Sequence, residues 1–263
     1  MTFSAQAWER AQPWYEAVLA HPFIQELGLG SLDRSVFVRY LADDAHYLGR
    51  YGRALATTAA RWPDPSGAAV IARFAAGAVD AERLLHASLL ERDGIDIERL
   101  EVEPTPTCLA YVNSLQADAV LAPPAVALAG LLPCFRIYAE LGRHFAGMLE
   151  TEPEHPYAEW LRTYGDPDFA ERTRRAETLA DEQAVADPSV LEGMHAAYAR
   201  AARFEWMFWD AAWRGETWPV PGGTGHRDAP AGCGSAESSA TLDASGPSVA
   251  LVAPRRHDTS SGG

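Results

Sequence analysis

Asp44, Cys134 and Glu205 are the side chains best placed to do chemistry in this sequence, because each interrupts an apolar stripe at helical spacing. The stripe 37, 40, 41, 44, 47, 48, 51 passes through Asp44. Met194, Tyr198, Ala201, Phe208, Trp209 and Ala212 share a face with Glu205, and Leu131, Phe135, Tyr138 and Gly142 surround Cys134. Such stripes face a core, and ionised carboxylates are rarely buried without partners, since removing their water is costly. Each residue also has a plain structural reading. Asp44 could cap a neighbouring helix or pair with an Arg, Cys134 could be a small hydrophobe, and Glu205 could pair with Arg203 or Arg172 at the surface. Taken together they say more. A thiol able to act as nucleophile and two carboxylates, with Tyr47, Tyr111, Tyr138 and Tyr164 on the same patterns, point to a pocket between helices. An aromatic lining of that kind suits a flat heterocycle.

Metal binding is the rival constellation. Glu82 and His86 stand at i and i+4, Asp43 and His46 at i and i+3. A di-iron bundle needs a Glu from each of two helices and Glu-x-x-His pairs from two others. Neither Glu82/His86 nor Asp43/His46 has that Glu-x-x-His form. Glu82 with His86 therefore reads as a structural hydrogen-bonded pair, and no metal is expected.

The elements that must hold these residues are helical throughout residues 1–218, with no sustained alternation of period two. Trp8, Ala11, Trp14, Tyr15, Val18 and Leu19 form one stripe, which His21-Pro22 ends. Ser31 and Asp33 open the helix that carries Asp44. Residues 67–91 and Thr107 to about Ala119 give two more. Pro124 opens a long helix through Leu149, ended by Glu152-Pro153; helices over 155–164, 167–185 and 188–214 follow. An all-α bundle of seven or eight helices is expected. Trp8, Trp14, Trp160, Trp209, Trp213 and Trp218 are more large aromatics than one helical domain readily hides, so some are expected at subunit contacts. Residues 219–263 differ in kind: rich in Gly, Ser, Ala and Pro and without an aromatic residue, they read as a disordered tail.

Composition excludes several functions. The 263 residues carry 36 acidic against 22 basic side chains, a formal charge of −14, which disfavours nucleic acid and anionic membranes as partners. All the basic residues are Arg. Without Lys there is no Schiff-base chemistry and no Walker-type phosphate loop. No unbroken apolar run approaches the roughly 20 residues of a membrane span, and the N-terminus MTFSAQAWERAQPWYEAV does not read as a signal peptide. Cys108, Cys134 and Cys233 are too few and too scattered for a disulfide framework, so a reducing, cytoplasmic location is expected.

Six segments resemble the thiaminase II (TenA) family in order and spacing: HPF at 21–23, YLADDAHYL at 40–48, EPTPTCLAY at 103–111, LLPCFRIYAELG at 131–142, EWLRTYGDPDF at 159–169 and FEWMFWDAAW at 204–213. LLPC followed four residues later by Tyr, with a Glu before a Phe-Trp pair, matches the cysteine-bearing branch. The resemblance covers residues 3–215 and implies a haem-oxygenase-like helical bundle, a homotetramer and no cofactor. The implied activity is aminopyrimidine aminohydrolase or thiaminase II: hydrolysis of 4-amino-5-aminomethyl-2-methylpyrimidine, and of thiamin, to the hydroxymethylpyrimidine in thiamin salvage. By position, the resemblance makes Cys134 the nucleophile and Glu205 the acid/base. Asp44 becomes the carboxylate that binds the ring's amino group and nitrogen, and Tyr47, Tyr111, Tyr138 and Tyr164 the pocket tyrosines. Four positions depart from the family pattern. Asp43 stands where Gln is common, Phe204 where Tyr is usual, and His46 and Arg136 where aromatic residues are frequent. The competing expectations are a metal-dependent oxidase on the same fold and a pyrimidine- or thiamin-binding protein without turnover; the latter would need neither Cys134 nor Glu205.

Overall fold

The computed structural model describes residues 1–91, 103–148 and 154–219, except for the side chains of 81–91. Nine α-helices lie among the described residues: α1 Phe3–Leu19, α2 Pro22–Gly28, α3 Arg34–Ala60, α4 Pro65–Glu91, α5 Pro106–Leu121, α6 Pro124–Phe145, α7 Ala158–Gly165, α8 Pro167–Ala186 and α9 Leu191–Arg214. A short 3-10 turn, Pro188–Val190, leads into α9. The described residues include no strand. The chain divides into two units, Met1–Val220 and Pro221–Gly263. The expected tail lies, apart from Pro219, outside the described residues.

Local chemistry sets the helix starts. Thr2, Asp33, Thr105 and Asp166 each accept a backbone N–H in the following first turn, and Pro22, Pro106, Pro124 and Pro167 occupy first-turn positions where no N–H is needed. Helix α9 stops at Gly215, whose φ of 63° is the left-handed conformation that glycine takes without strain. The short α2 is the helix that the periodicity did not anticipate. His21-Pro22 does end α1, but the His21 side chain then accepts from the Phe23 N–H and so starts a new helix at once. Helix α6 ends at Phe145 rather than Leu149.

Helix α6 is the axis of the bundle. It packs on α9, α8 and α7, while α3 packs on α4 and α5, and α1 on α9. Over Pro124–Phe145 its mean hydropathy reaches 1.4, so by length and composition it could cross a bilayer, contrary to the expectation from unbroken runs; 78% of that stretch is buried inside the protein. An all-round apolar helix is what a bundle centre requires. Arg136 sits on its rim, paired at 3.0 Å with both Glu140 and Glu177 and lying 4.7 Å above the Trp8 ring. The guanidinium thereby joins α6 to α8 and α1. Where α6 meets α7, Gly142 is indispensable: a Cβ there would overlap the Tyr164 carbonyl.

Candidate active site

Five helices bring the predicted residues together. On α3, Asp44, Tyr47 and Tyr51 follow at i, i+3 and i+7 on one face, with Tyr40 one turn before them. On α6, Cys134 and Tyr138 stand at i and i+4. Tyr111 comes from α5 and Glu205 from α9, and α7 adds Tyr164. Asp44, Tyr47, Tyr111, Tyr138, Tyr164 and Glu205 are buried, and Cys134 is partly exposed.

The site has two halves. In the first, the Tyr111 hydroxyl donates to Glu205 Oε1 at 2.6 Å. The Tyr111 ring stacks on Phe204, with centroids 5.0 Å apart and planes at 11°, and lies 5.1 Å from Tyr47. Phe204 thus fills its position as a platform for the tyrosine that holds Glu205. In the second half, the Tyr40 and Tyr138 hydroxyls are 3.2 Å apart, the Trp160 indole N–H donates to Tyr40 at 3.3 Å, and Tyr138 and Tyr164 rings meet at 4.6 Å. Tyr40 itself stacks on Trp209 at 4.8 Å.

Cys134 lies between the halves. It opens onto a cavity of about 90 Å³ whose walls include Tyr51, Phe74, Tyr164, Phe169 and Arg172. Burial pushes its thiol well up; Glu205 and Asp44 push the same way, while the Tyr47 and Tyr51 hydroxyls act in the opposite, smaller sense. The Tyr47 hydroxyl is close enough to favour the thiolate, yet it forms no hydrogen bond of normal geometry. Glu205 is only 2% exposed. Burial lifts its carboxyl from 4.5 to about 7, against the opposing pull of the Tyr111 hydrogen bond. Such a group exchanges a proton readily near neutral pH. It is not the surface partner of Arg203 or Arg172 that one sequence reading allowed.

Size does not mark this site. A cavity of about 370 Å³ lies near the start of α5, bordered by Arg39, Asp43, Glu103, Glu216 and Trp218, and none of the seven predicted residues lines it. Asp43 and Glu216 are occupied there: Asp43 accepts from the Thr105 N–H and hydroxyl at 2.9 and 2.6 Å, and Glu216 from those of Thr107 at 2.9 and 3.1 Å. Asp43 is therefore a structural clamp on the helix that carries Tyr111. Among the described residues, no three His, Cys, Asp or Glu side chains converge as a metal site would need. The side chains of Glu82 and His86 lie outside the described residues.

Sequence reasoning missed Tyr40 and Tyr51. Both occupy the stripe that gave Asp44 and Tyr47, and both were legible as its continuation one turn either way. Of the six tryptophans of which some are expected at subunit contacts, Trp160 and Trp209 are wholly buried in the protomer core, where their rings pack around Tyr40 and Tyr138.

Comparison with known proteins agrees with this architecture. An aminopyrimidine aminohydrolase of Halalkalibacterium halodurans is 31% identical over 225 residues, covering 84% of this chain and all of the relative. A TenA homologue from P. horikoshii superposes with a TM-score of 0.75 at 26% identity, covering 82% of this chain and 100% of that one. A Shewanella denitrificans domain with a heme oxygenase-like fold, 14% identical, superposes at 0.56 over 80% of this chain and 92% of its own, which shows the fold alone. The profile of the TENA/THI-4/PQQC family matches residues 8–215, and the chain belongs to that family.

Proposed function

We propose that this protein is an aminopyrimidine aminohydrolase, a hydrolase of C–N bonds in thiamin metabolism, and that Cys134 is its nucleophile. The substrate in this reading is 4-amino-5-aminomethyl-2-methylpyrimidine or thiamin, the product the hydroxymethylpyrimidine, and the pathway thiamin salvage. Support comes from the 31% identity to an aminopyrimidine aminohydrolase along its whole length. The observation that carries the reading is a buried carboxyl titrating at about 7, held by a tyrosine beside a thiol in an aromatic pocket.

The chemistry explains each part. Direct displacement of an amine from the side-arm carbon is slow because the leaving group is poor. In the proposed path, Glu205 in its ionised form takes the Cys134 proton as sulfur bonds to a ring carbon, and passes that proton to the ring nitrogen that receives the electron pair. The ring then returns that pair and expels the amine. Water adds at the exocyclic carbon, and the C–S bond breaks to restore the aromatic ring. One hard step becomes several easier ones. Asp44 would accept from the ring's amino group and fix its orientation, while the tyrosine and tryptophan rings of α3, α6, α7 and α9 flank the heterocycle. Raised pKa values on both Cys134 and Glu205 mean that the pocket resists negative charge. A substrate whose leaving group is an ammonium or thiazolium brings the compensating positive charge with it. We assign the activity to residues 1–218, acting as a homotetramer, as the family resemblance implies, and in the cytoplasm, in keeping with the few scattered cysteines.

The test is product formation. Incubation with the aminomethylpyrimidine or thiamin should yield the hydroxymethylpyrimidine, and Cys134→Ser should lose at least about 100-fold in rate with its fold intact. A Cys134→Ser protein that keeps more than about a tenth of the rate removes covalent catalysis.

A further inference from the structure

Tyr51 stands on the catalytic face of α3 without a part in the chemistry so far. Its hydroxyl donates to the Leu131 carbonyl at 2.9 Å. Leu131 precedes Cys134 on α6 by three residues, so the acceptor and the sulfur lie on one side of that helix. Tyr51 and Cys134 share the walls of the same cavity. The ring is fixed by Tyr47, 5.3 Å away at 24°, and by Phe135 at 6.0 Å, which leaves rotation of the O–H as the easy motion. A carbonyl inside a helix already accepts the N–H four residues on, so Leu131 can release a phenol without being left unsatisfied.

We propose that Tyr51 is a second hydrogen-bonding group on the reacting sulfur, turning its O–H from the Leu131 carbonyl to Cys134 as the thiolate forms. While Cys134 is a thiol, the Tyr51 proton stays on the carbonyl and its oxygen offers a lone pair to the S–H. When the sulfur gives up its proton, the phenol rotates and donates to the new anion. No bond to Tyr51 is made or broken, and its own proton never leaves it, since burial holds the phenol well above its ordinary range. Such a donor is most valuable here because Glu205 and Asp44 both disfavour the thiolate. The other groups facing this corner are Tyr47 on α3, Tyr111 on α5, Tyr164 on α7 and Arg172 on α8.

The proposal rests on Cys134 being the nucleophile, so its test reads the sulfur itself rather than turnover alone. In the full chain, Cys134 is alkylated with iodoacetamide across a pH series and quantified by mass spectrometry of its own peptide. Tyr51→Phe keeps the ring and removes the donor. The rise in alkylation rate should move to higher pH, with a loss of about tenfold or more at neutral pH, as for a hydrogen bond to a charged group. In turnover, kcat should fall with KM unchanged, since the hydroxyl touches sulfur and not substrate. An alkylation profile superimposable on wild type overturns the proposal. Should Tyr51→Phe fail to fold, 3-fluorotyrosine at position 51 serves instead. Its more acidic phenol should move the profile to lower pH, and an unmoved profile is equally fatal. Full hydrolysis by Cys134→Ser would sink the nucleophile reading without touching the alkylation result, so the two failures are separable.

Discussion

Glu205→Gln should make the protein more stable at alkaline pH while removing its activity. Burial raises the Glu205 carboxyl from 4.5 to about 7. The unfolded chain therefore ionises this group first, from about pH 4.5 upward, while the folded protein still holds the proton. Stability from this group is complete below pH 4.5, declines as pH rises to 7, and is flat above that. At about 1.4 kcal/mol for each pH unit between 4.5 and 7, the loss comes to about 3 kcal/mol. Glutamine stays neutral, fills the same space and can still accept from the Tyr111 hydroxyl, so it escapes the penalty. Calorimetry at about pH 4 should find the two proteins with similar Tm. Near pH 8.5, Glu205→Gln should melt higher, by up to about 6–12 °C for a domain of this size. Its kcat should be lower by about 10²–10⁴, the usual contribution of a positioned acid or base. A Tm difference that is the same at both pH values would refute the buried, proton-holding carboxyl. Normal turnover by Glu205→Gln would refute its role as the acid.

Gly142→Ala should cost about 1–3 kcal/mol or more and raise KM, because the new Cβ overlaps the Tyr164 carbonyl and must push α7 and its tyrosine off the pocket; unchanged Tm and KM would show that the α6–α7 contact is looser than it stands. Light scattering at micromolar concentration should return a tetramer mass, and a monomer mass would refute the assembly proposed from the family resemblance.

The sequence alone was enough to determine the helical class, the stripes, and the three polar side chains, Asp44, Cys134 and Glu205, that break them. The reason is periodicity: a carboxylate at a core-facing position is conspicuous whatever packs against it, and Asp44 and Glu205 are both buried. Proline and capping residues likewise act within one turn, which is why Asp33 and Pro124 marked helix starts correctly. What spacing could not supply is the partner. Nothing in the sequence ties Tyr111 to Glu205, 94 positions apart, or says that Asp43 is consumed by Thr105 while its neighbour Asp44 faces the pocket. Trp160 and Trp209 looked like surplus apolar area until the bundle closed around them. Protonation was equally out of reach. The titration of Glu205 near 7 arises from the water that α3, α5 and α6 exclude, and the orientation of Tyr51 from a carbonyl on α6. Desolvation and long-range hydrogen bonds exist only once helices distant in sequence are packed, so tertiary structure decided them.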